Sequence, residues 1–62
     1  MMLIQFEPYG LGERIYVNTE RITYVEPYSS NTSTGSMLHL DDGTQVLVGN
    51  YPNEVADKIN AK

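Results

Sequence analysis

The segment MLHLDDGTQVLVG, residues 37–49, decides the fold, because it has the pattern of a β-hairpin whose turn sets the register of two strands. A two-residue loop would mix apolar and polar residues on each face of the hairpin. A three-residue loop, a type I turn followed by a glycine at positive φ, segregates them better. We therefore predict that Asp41, Asp42 and Gly43 are structural turn residues.

This register assigns the residues of the hairpin to two faces. It pairs Leu40 with Thr44 and Leu38 with Val46. The face expected to join the core carries four apolar residues, which are Leu38, Leu40, Val46 and Val48. The other face carries Met37, His39, Gln45 and Leu47. Together with Tyr16 and Tyr24, the residues Met37, His39 and Leu47 are candidates for an interaction surface, since aromatic residues are enriched in protein interfaces.

The rest of the chain predicts short strands and one helix. Alternating and β-branched segments indicate strands near 2–6, 14–18, 22–27, 36–41 and 44–49, and a helix near 52–60. Ile22 and Val25 are three residues apart, so we expect either a bulge between them or a strand that begins later. Pro27 is typical of an edge strand or a strand end. The predicted fold class is α+β, mainly β: one domain with a small antiparallel sheet or roll of about five strands and a C-terminal helix.

Two connecting features complete this prediction. The polar stretch SSNTSTGS, residues 29–36, predicts an exposed, mobile hairpin loop. Asn50 is a candidate N-cap for the helix. Tyr51, Val55 and Ile59 recur every four residues, so we expect this stripe to dock on the sheet or on a neighbouring subunit.

Composition limits the function classes. The chain has 62 residues, no cysteine, one histidine and a net charge of −4. A chain of this size is marginally stable alone, and without disulfides or a thiolate metal site its common support is oligomerisation. The acidic balance disfavours binding to nucleic acid without excluding it. With no secretory leader and no apolar run near the roughly 20 residues of a membrane span, we expect a cytoplasmic protein that does not insert into membranes.

No residue pattern predicts catalysis, a metal site or a cofactor. Asp41 and Asp42 are adjacent, and turn chemistry accounts for both carboxylates. A calcium loop would need further oxygen ligands at spaced positions, which are absent after Gly43. His39 has no serine and acid at a spacing that indicates a nucleophile. We therefore expect a non-enzymatic protein.

Residues 14–60 resemble the small FlbD/SwrD-like flagellar accessory family. The resemblance is carried by YVNTERITYVE (16–26), MLHLDDGTQVLV (37–48) and NEVADKI (53–59). It implies a non-enzymatic accessory protein without catalytic residues. The predicted strand order is also similar to that of the CsrA RNA regulators, which have five strands and a helix in an intertwined dimer. Their basic RNA-binding motifs are absent from this sequence.

Three functions follow from the sequence, in order of preference. The first is a protein–protein interaction or regulatory module of bacterial or phage type, which self-associates and binds another protein. The second is a regulator that binds single-stranded nucleic acid through Tyr16, Tyr24 and either Arg14 or Arg21. The third is an acidic inhibitor of a host or competitor protein, for which the acidic residues would have to cluster. Those residues are Glu7, Glu13, Glu20 and Glu26.

Overall fold

The computed structural model describes residues 2–61, in which five antiparallel strands precede one helix. The strands are β1 (Leu3–Phe6), β2 (Ile15–Asn18), β3 (Ile22–Ser29), β4 (Thr34–Leu40) and β5 (Gln45–Val48), and the helix is α1 (Pro52–Asn60). A single 3-10 turn, Thr19–Arg21, joins β2 to β3. The predicted class, α+β and mainly β with one C-terminal helix, is confirmed.

The five strands form two small sheets. β1 pairs with β2, and the second sheet has the order β3-β4-β5. The chain after β1 then reaches the free edge of β5, where Pro8 forms a bridge with Val48 and the Gly49 amide donates to the Glu7 carbonyl at 2.8 Å. This connection brings the two sheets together around one core.

The β4–β5 hairpin has the predicted three-residue loop. The Leu40 amide donates to the Thr44 carbonyl at 2.9 Å, and the Gly43 amide donates to the Leu40 carbonyl at 3.1 Å. Leu38 lies opposite Val46, as expected. Gly43 has a φ of +91°, a conformation that costs energy for any residue with a Cβ.

Both aspartates of this loop act as turn residues. The Asp42 carboxylate accepts a hydrogen bond from the Thr44 amide at 2.9 Å. The Thr44 side chain, and after it this amide hydrogen bond, lower the pKa of Asp42 below its usual value. The Asp41 carboxylate accepts from the Arg21 guanidinium at 2.8 Å, which raises the pKa of Arg21. Asp41 also donates its amide to the Arg21 carbonyl at 2.9 Å, so the loop is fastened to the 3-10 turn.

A bulge explains how Ile22 and Val25, three residues apart, can face the same side of the strand. The register shifts between Ile22, which lies opposite Leu40, and Tyr24, which lies opposite His39. The extra residue, Thr23, donates its hydroxyl to the His39 carbonyl at 3.1 Å. The bulge therefore lets Ile22 and Val25 both pack against the core.

The core lies between the two sheets and the helix. Its buried residues are Phe6, Val17, Leu38, Val48 and Val55. Val55 and Ile59 of the predicted helical stripe pack there, whereas Tyr51 remains 51% exposed. By packing on the sheets, the helix adds the buried side chain of Val55 to a small core.

Asn50 is not the helix cap, so that prediction is wrong. The N-cap is Tyr51, whose amide donates to the Glu54 carboxylate at 3.1 Å. Asn50 is buried instead, and its side chain accepts from the Glu7 amide at 2.9 Å. Its carbonyl accepts from the buried Ser36 hydroxyl at 2.6 Å. Asn50 therefore links the residue after β1 to β4 of the three-stranded sheet.

The polar loop is shorter than predicted, because the strands on both sides of it are longer. β3 continues through Pro27 to Ser29, and β4 begins at Thr34. Pro27 is tolerated because β3 is an edge strand, which is one of the two alternatives that the sequence left open. Only residues 30–33 form the turn, which is closed by the Ser30 amide donating to the Ser33 carbonyl at 2.8 Å.

Candidate interaction surface

The three-stranded sheet has one face directed away from the core, here called the outer face. Val25, Leu38 and Val46 face the core. Because side chains alternate along a strand, the neighbours of these residues point to the outer face. The outer face comprises Tyr24, Glu26 and Tyr28 of β3, Met37 and His39 of β4, and Gln45 and Leu47 of β5. It unites four of the five candidate interface residues that the sequence indicates.

A stacked aromatic pair occupies the middle of the outer face. Tyr24 lies directly opposite His39, with ring centroids 4.0 Å apart and planes inclined by 6°. The His39 Nε2 atom is 2.7 Å from a carboxylate oxygen of Glu26. Because a carboxylate accepts, Nε2 carries the hydrogen. The stack and the bond together hold the imidazole of His39 in one orientation.

Tyr24 is the exposed member of the stacked pair, and His39 is its covered member. The side chain of His39 is only 12% exposed, whereas Tyr24 is 56% exposed. Met37 and Leu47 lie opposite one another and are half-buried. The outer face therefore presents an aromatic ring and two apolar side chains next to the Glu26 carboxylate, the mixture typical of protein interfaces.

Tyr9 closes one end of the outer face. Its ring makes an edge-to-face contact with Tyr28, at a centroid distance of 5.5 Å. Its hydroxyl lies 2.9 Å from Ser30 Oγ and 3.0 Å from the Ser33 carbonyl. The loop after β1 is thus fastened to the turn between β3 and β4.

Tyr16, the fifth candidate, lies in the other sheet. It sits opposite Gln5 in the β1–β2 pair and is 63% exposed. With Glu7, Glu13 and Arg14 it lines an open cavity of about 510 Å³. The structure therefore does not bring Tyr16 together with Met37, His39 and Leu47.

The two arginines considered for nucleic-acid binding both pair with carboxylates. Arg14 contacts Glu7 at 2.9 Å, and Arg21 contacts Asp41 at 2.8 Å. Tyr16 and Tyr24 belong to different sheets, so they do not form one stacking platform with these arginines.

The acidic residues considered for an inhibitor are dispersed among several elements. Glu7 and Glu13 line the same cavity, whereas Glu20 belongs to the 3-10 turn and Glu26 to β3. Glu7 is paired with Arg14, and Glu26 contacts His39. This arrangement does not favour mimicry of a nucleic-acid charge pattern.

Residues 2–61 contain neither a cluster of metal-binding side chains nor a helix that could cross a membrane. No group of three or more histidine, aspartate or glutamate side chains there has the geometry to hold a metal ion. Among the helices of the same residues, none has the length and apolar character needed to cross a membrane.

Comparison with known proteins finds no match for this chain among family models, curated proteins or solved structures.

Proposed function

We propose that this protein is a small, non-enzymatic protein–protein interaction module that self-associates and binds another protein through its outer face. The observation that carries this proposal is the exposed ring of Tyr24, stacked on His39 next to half-buried Met37 and Leu47. A rigid aromatic residue beside apolar contacts is typical of the residues that contribute most to binding energy.

The organisation of the outer face supports binding rather than catalysis. The imidazole of His39 is occupied on one side by Tyr24 and at Nε2 by Glu26. These contacts fix a contact surface before the partner arrives, so less conformational entropy is lost on binding. The half-buried state of Met37 and Leu47 leaves apolar area that a partner can cover.

The setting of this function is inferred from the chain as a whole. The resemblance of residues 14–60 to FlbD/SwrD-like flagellar accessory proteins supports an accessory role in a bacterium or phage, in the cytoplasm. The small size and the absence of cysteine support self-association as the source of additional stability.

A regulator of single-stranded nucleic acid is the second candidate. The exposed ring of Tyr24 favours it, because bases stack on such rings without regard to sequence. The net charge of −4 and the pairing of Arg14 and Arg21 with carboxylates weigh against it.

Affinity capture with matched variants tests the first candidate. Tagged wild-type protein, the outer-face variant Leu47→Ser and the control variant Leu3→Ser are used as baits in a lysate of the cells that produce the protein. Leu3 is a half-exposed strand leucine of the other sheet, 55% exposed. We expect the same partner with wild type and Leu3→Ser, and its loss with Leu47→Ser. Equal recovery by all three baits would exclude the outer face as the binding surface.

A further inference from the structure

One leucine is presented to solvent in the loop that joins β1 to β2. Leu11 is 102% exposed, more than any other large apolar side chain that the structure describes. It stands between Gly10 and Gly12, both of which have positive φ. None of the contacts that hold the rest of this loop, such as the Tyr9 hydroxyl bonds, involves the Leu11 side chain. The Leu11 side chain is therefore available for contact with another molecule.

A groove of matching chemistry lies between β3 and α1. Its walls are formed by the first half of β3 and one side of the helix, chiefly Ile22, Tyr24, Val25, Pro52, Ala56 and Ile59. All of its lining residues are uncharged. Its volume of about 250 Å³ is several times the roughly 30 Å³ share of one water molecule, and is large enough for a leucine side chain.

Leu11 cannot fill the groove of its own chain. A Cβ on the adjacent Gly10 would lie 3.8 Å from Ser33 Oγ, which places the loop beside the turn where β3 ends. The groove instead lies along the beginning of β3, from Ile22 to Val25. At about 3.3 Å per residue, the five residues from Val25 to Ser30 alone span roughly 16 Å, far beyond the reach of one side chain.

We propose that two copies of this chain form a reciprocal dimer in which Leu11 of each copy occupies the groove between β3 and α1 of the other. This inference rests on the self-association in the proposed function and identifies its contact. The outer face, apart from Tyr24 at the groove rim, stays free for another protein.

Charge and symmetry both support a second copy as the occupant. Each copy has a net charge of −4, so two copies repel one another least where the contacting surfaces carry no charge. The Gly10–Gly12 tip and the groove are both uncharged. Tip and groove lie at different ends of β3, and a reciprocal arrangement about a two-fold axis would use both contacts and close the assembly.

Two variants at exposed positions test the contact from its two sides. Leu11→Ser removes the inserted side chain, and Ala56→Glu places a charged side chain in the groove. Both positions are exposed, so both variants keep the core intact. The controls are Leu3→Ser, which removes an exposed leucine of the other surface, and Asn53→Glu, which adds the same charge to the helix outside the groove.

Sedimentation equilibrium of the full-length chains between about 1 µM and 1 mM measures the dimer dissociation constant. Each test variant loses both contacts of the reciprocal dimer, and burial of one leucine is worth about tenfold or more. We therefore expect an increase in the dissociation constant of about 100-fold or more for each test variant, and little change for the controls.

Mixing the two test variants tests whether Leu11 of one chain pairs with the groove of the other. In the mixed dimer, Leu11 of the Ala56→Glu chain meets the intact groove of the Leu11→Ser chain, so one contact is restored. We expect the mixture to associate about tenfold more tightly than either variant alone. If both variants weaken the dimer and mixing restores nothing, then Leu11 does not insert into this groove.

The remaining outcomes separate this inference from the proposed function. A wild-type dimer that neither test variant weakens would overturn the Leu11 contact and leave self-association in place. A wild-type chain that stays monomeric and folded over the whole concentration range would overturn both the contact and the self-association. Binding of another protein through the outer face would still be testable by capture.

Discussion

Tyr24 of β3 lies flat on His39 of β4, with 4.0 Å between the ring centroids, and this pair is the centre of the outer face. The bulge at Thr23 produces the alignment. It shifts the register so that Tyr24, rather than its neighbour, lies directly opposite His39. The same bulge directs Ile22 and Val25 into the core, so one local irregularity serves both faces of the sheet.

The first prediction concerns the contribution of His39 to stability. His39→Ala removes both the stack on Tyr24 and the bond to Glu26, so we expect the free energy of unfolding to fall by about 1–2 kcal/mol. Urea denaturation followed by circular dichroism measures it. Gln45→Ala changes an exposed residue directly opposite His39 and should cost less than about 0.5 kcal/mol. Equal losses for the two variants would show that the stack contributes nothing.

The second prediction compares two glycines with different reasons to be glycine. At Gly43 a Cβ meets no atom within 4 Å, but its φ of +91° costs a substituted alanine about 1–2 kcal/mol. At Gly35 a Cβ would overlap the Val48 carbonyl oxygen and lie 3.0 Å from Tyr9 Cδ1. We expect Gly35→Ala to be clearly the more destabilising in thermal unfolding, because two strands must separate. The reverse order would contradict the packing of β4 against β5.

The third prediction concerns the stability of the β4–β5 turn as a function of pH. Hydrogen bonds from the side chain and the amide of Thr44 lower the pKa of Asp42 in the folded chain, so the ionised carboxylate stabilises the fold. This contribution is present above the unfolded pKa of about 3.9 and is lost as pH falls through the lower folded value. We expect wild type to exceed Asp42→Ala in stability at neutral pH, and the difference to shrink in acid.

Asp42→Asn is the matched control for this titration. Its amide oxygen can still accept from Thr44 but does not ionise, so the acid-dependent part of the difference should disappear. Thermal unfolding between about pH 2 and pH 7 compares the three chains. Parallel curves for wild type and Asp42→Asn across this range would contradict the role of the carboxylate.

Much of the three-stranded sheet could be predicted because its determinants are local in sequence. The loop Asp41-Asp42-Gly43 specifies its own turn, and alternation then places Met37, His39 and Leu47 on one face. The spacing of Ile22 and Val25, which alternation cannot satisfy, predicts either a bulge or a later start of the strand, and the structure has the bulge. These features depend on neighbouring residues only, so a single sequence reveals them.

The rest depends on contacts between distant segments. The separation of β1–β2 from the other sheet, which puts Tyr16 apart from the outer face, is decided by which edges pair, and alternation carries no information on that. Asn50 has the residue type of a cap, but its partners Glu7 and Ser36 come from two other segments. The same is true of Glu26, whose bond to His39 crosses strands.

The fourth prediction concerns nucleic acid. In gel shift at low salt, we expect no complex between the wild-type protein and single-stranded RNA or DNA at tens of micromolar, because the basic residues Arg14 and Arg21 are paired with carboxylates. The variants Glu7→Gln and Asp41→Asn remove the charges that pair with these arginines. They show whether unpaired arginines are enough to bind nucleic acid. A salt-dependent shift with wild type would favour the second candidate function instead.

Site-specific photo-crosslinking in the cells that produce the protein tests the outer face as a binding surface most directly. A benzophenone amino acid replaces Gln45, which lies on the outer face opposite His39, or Gln5, an exposed strand residue of the other sheet opposite Tyr16. The proposed function predicts a discrete crosslinked product with another protein from position 45 and none from position 5. Equal crosslinking from both positions, or none from position 45, would contradict it.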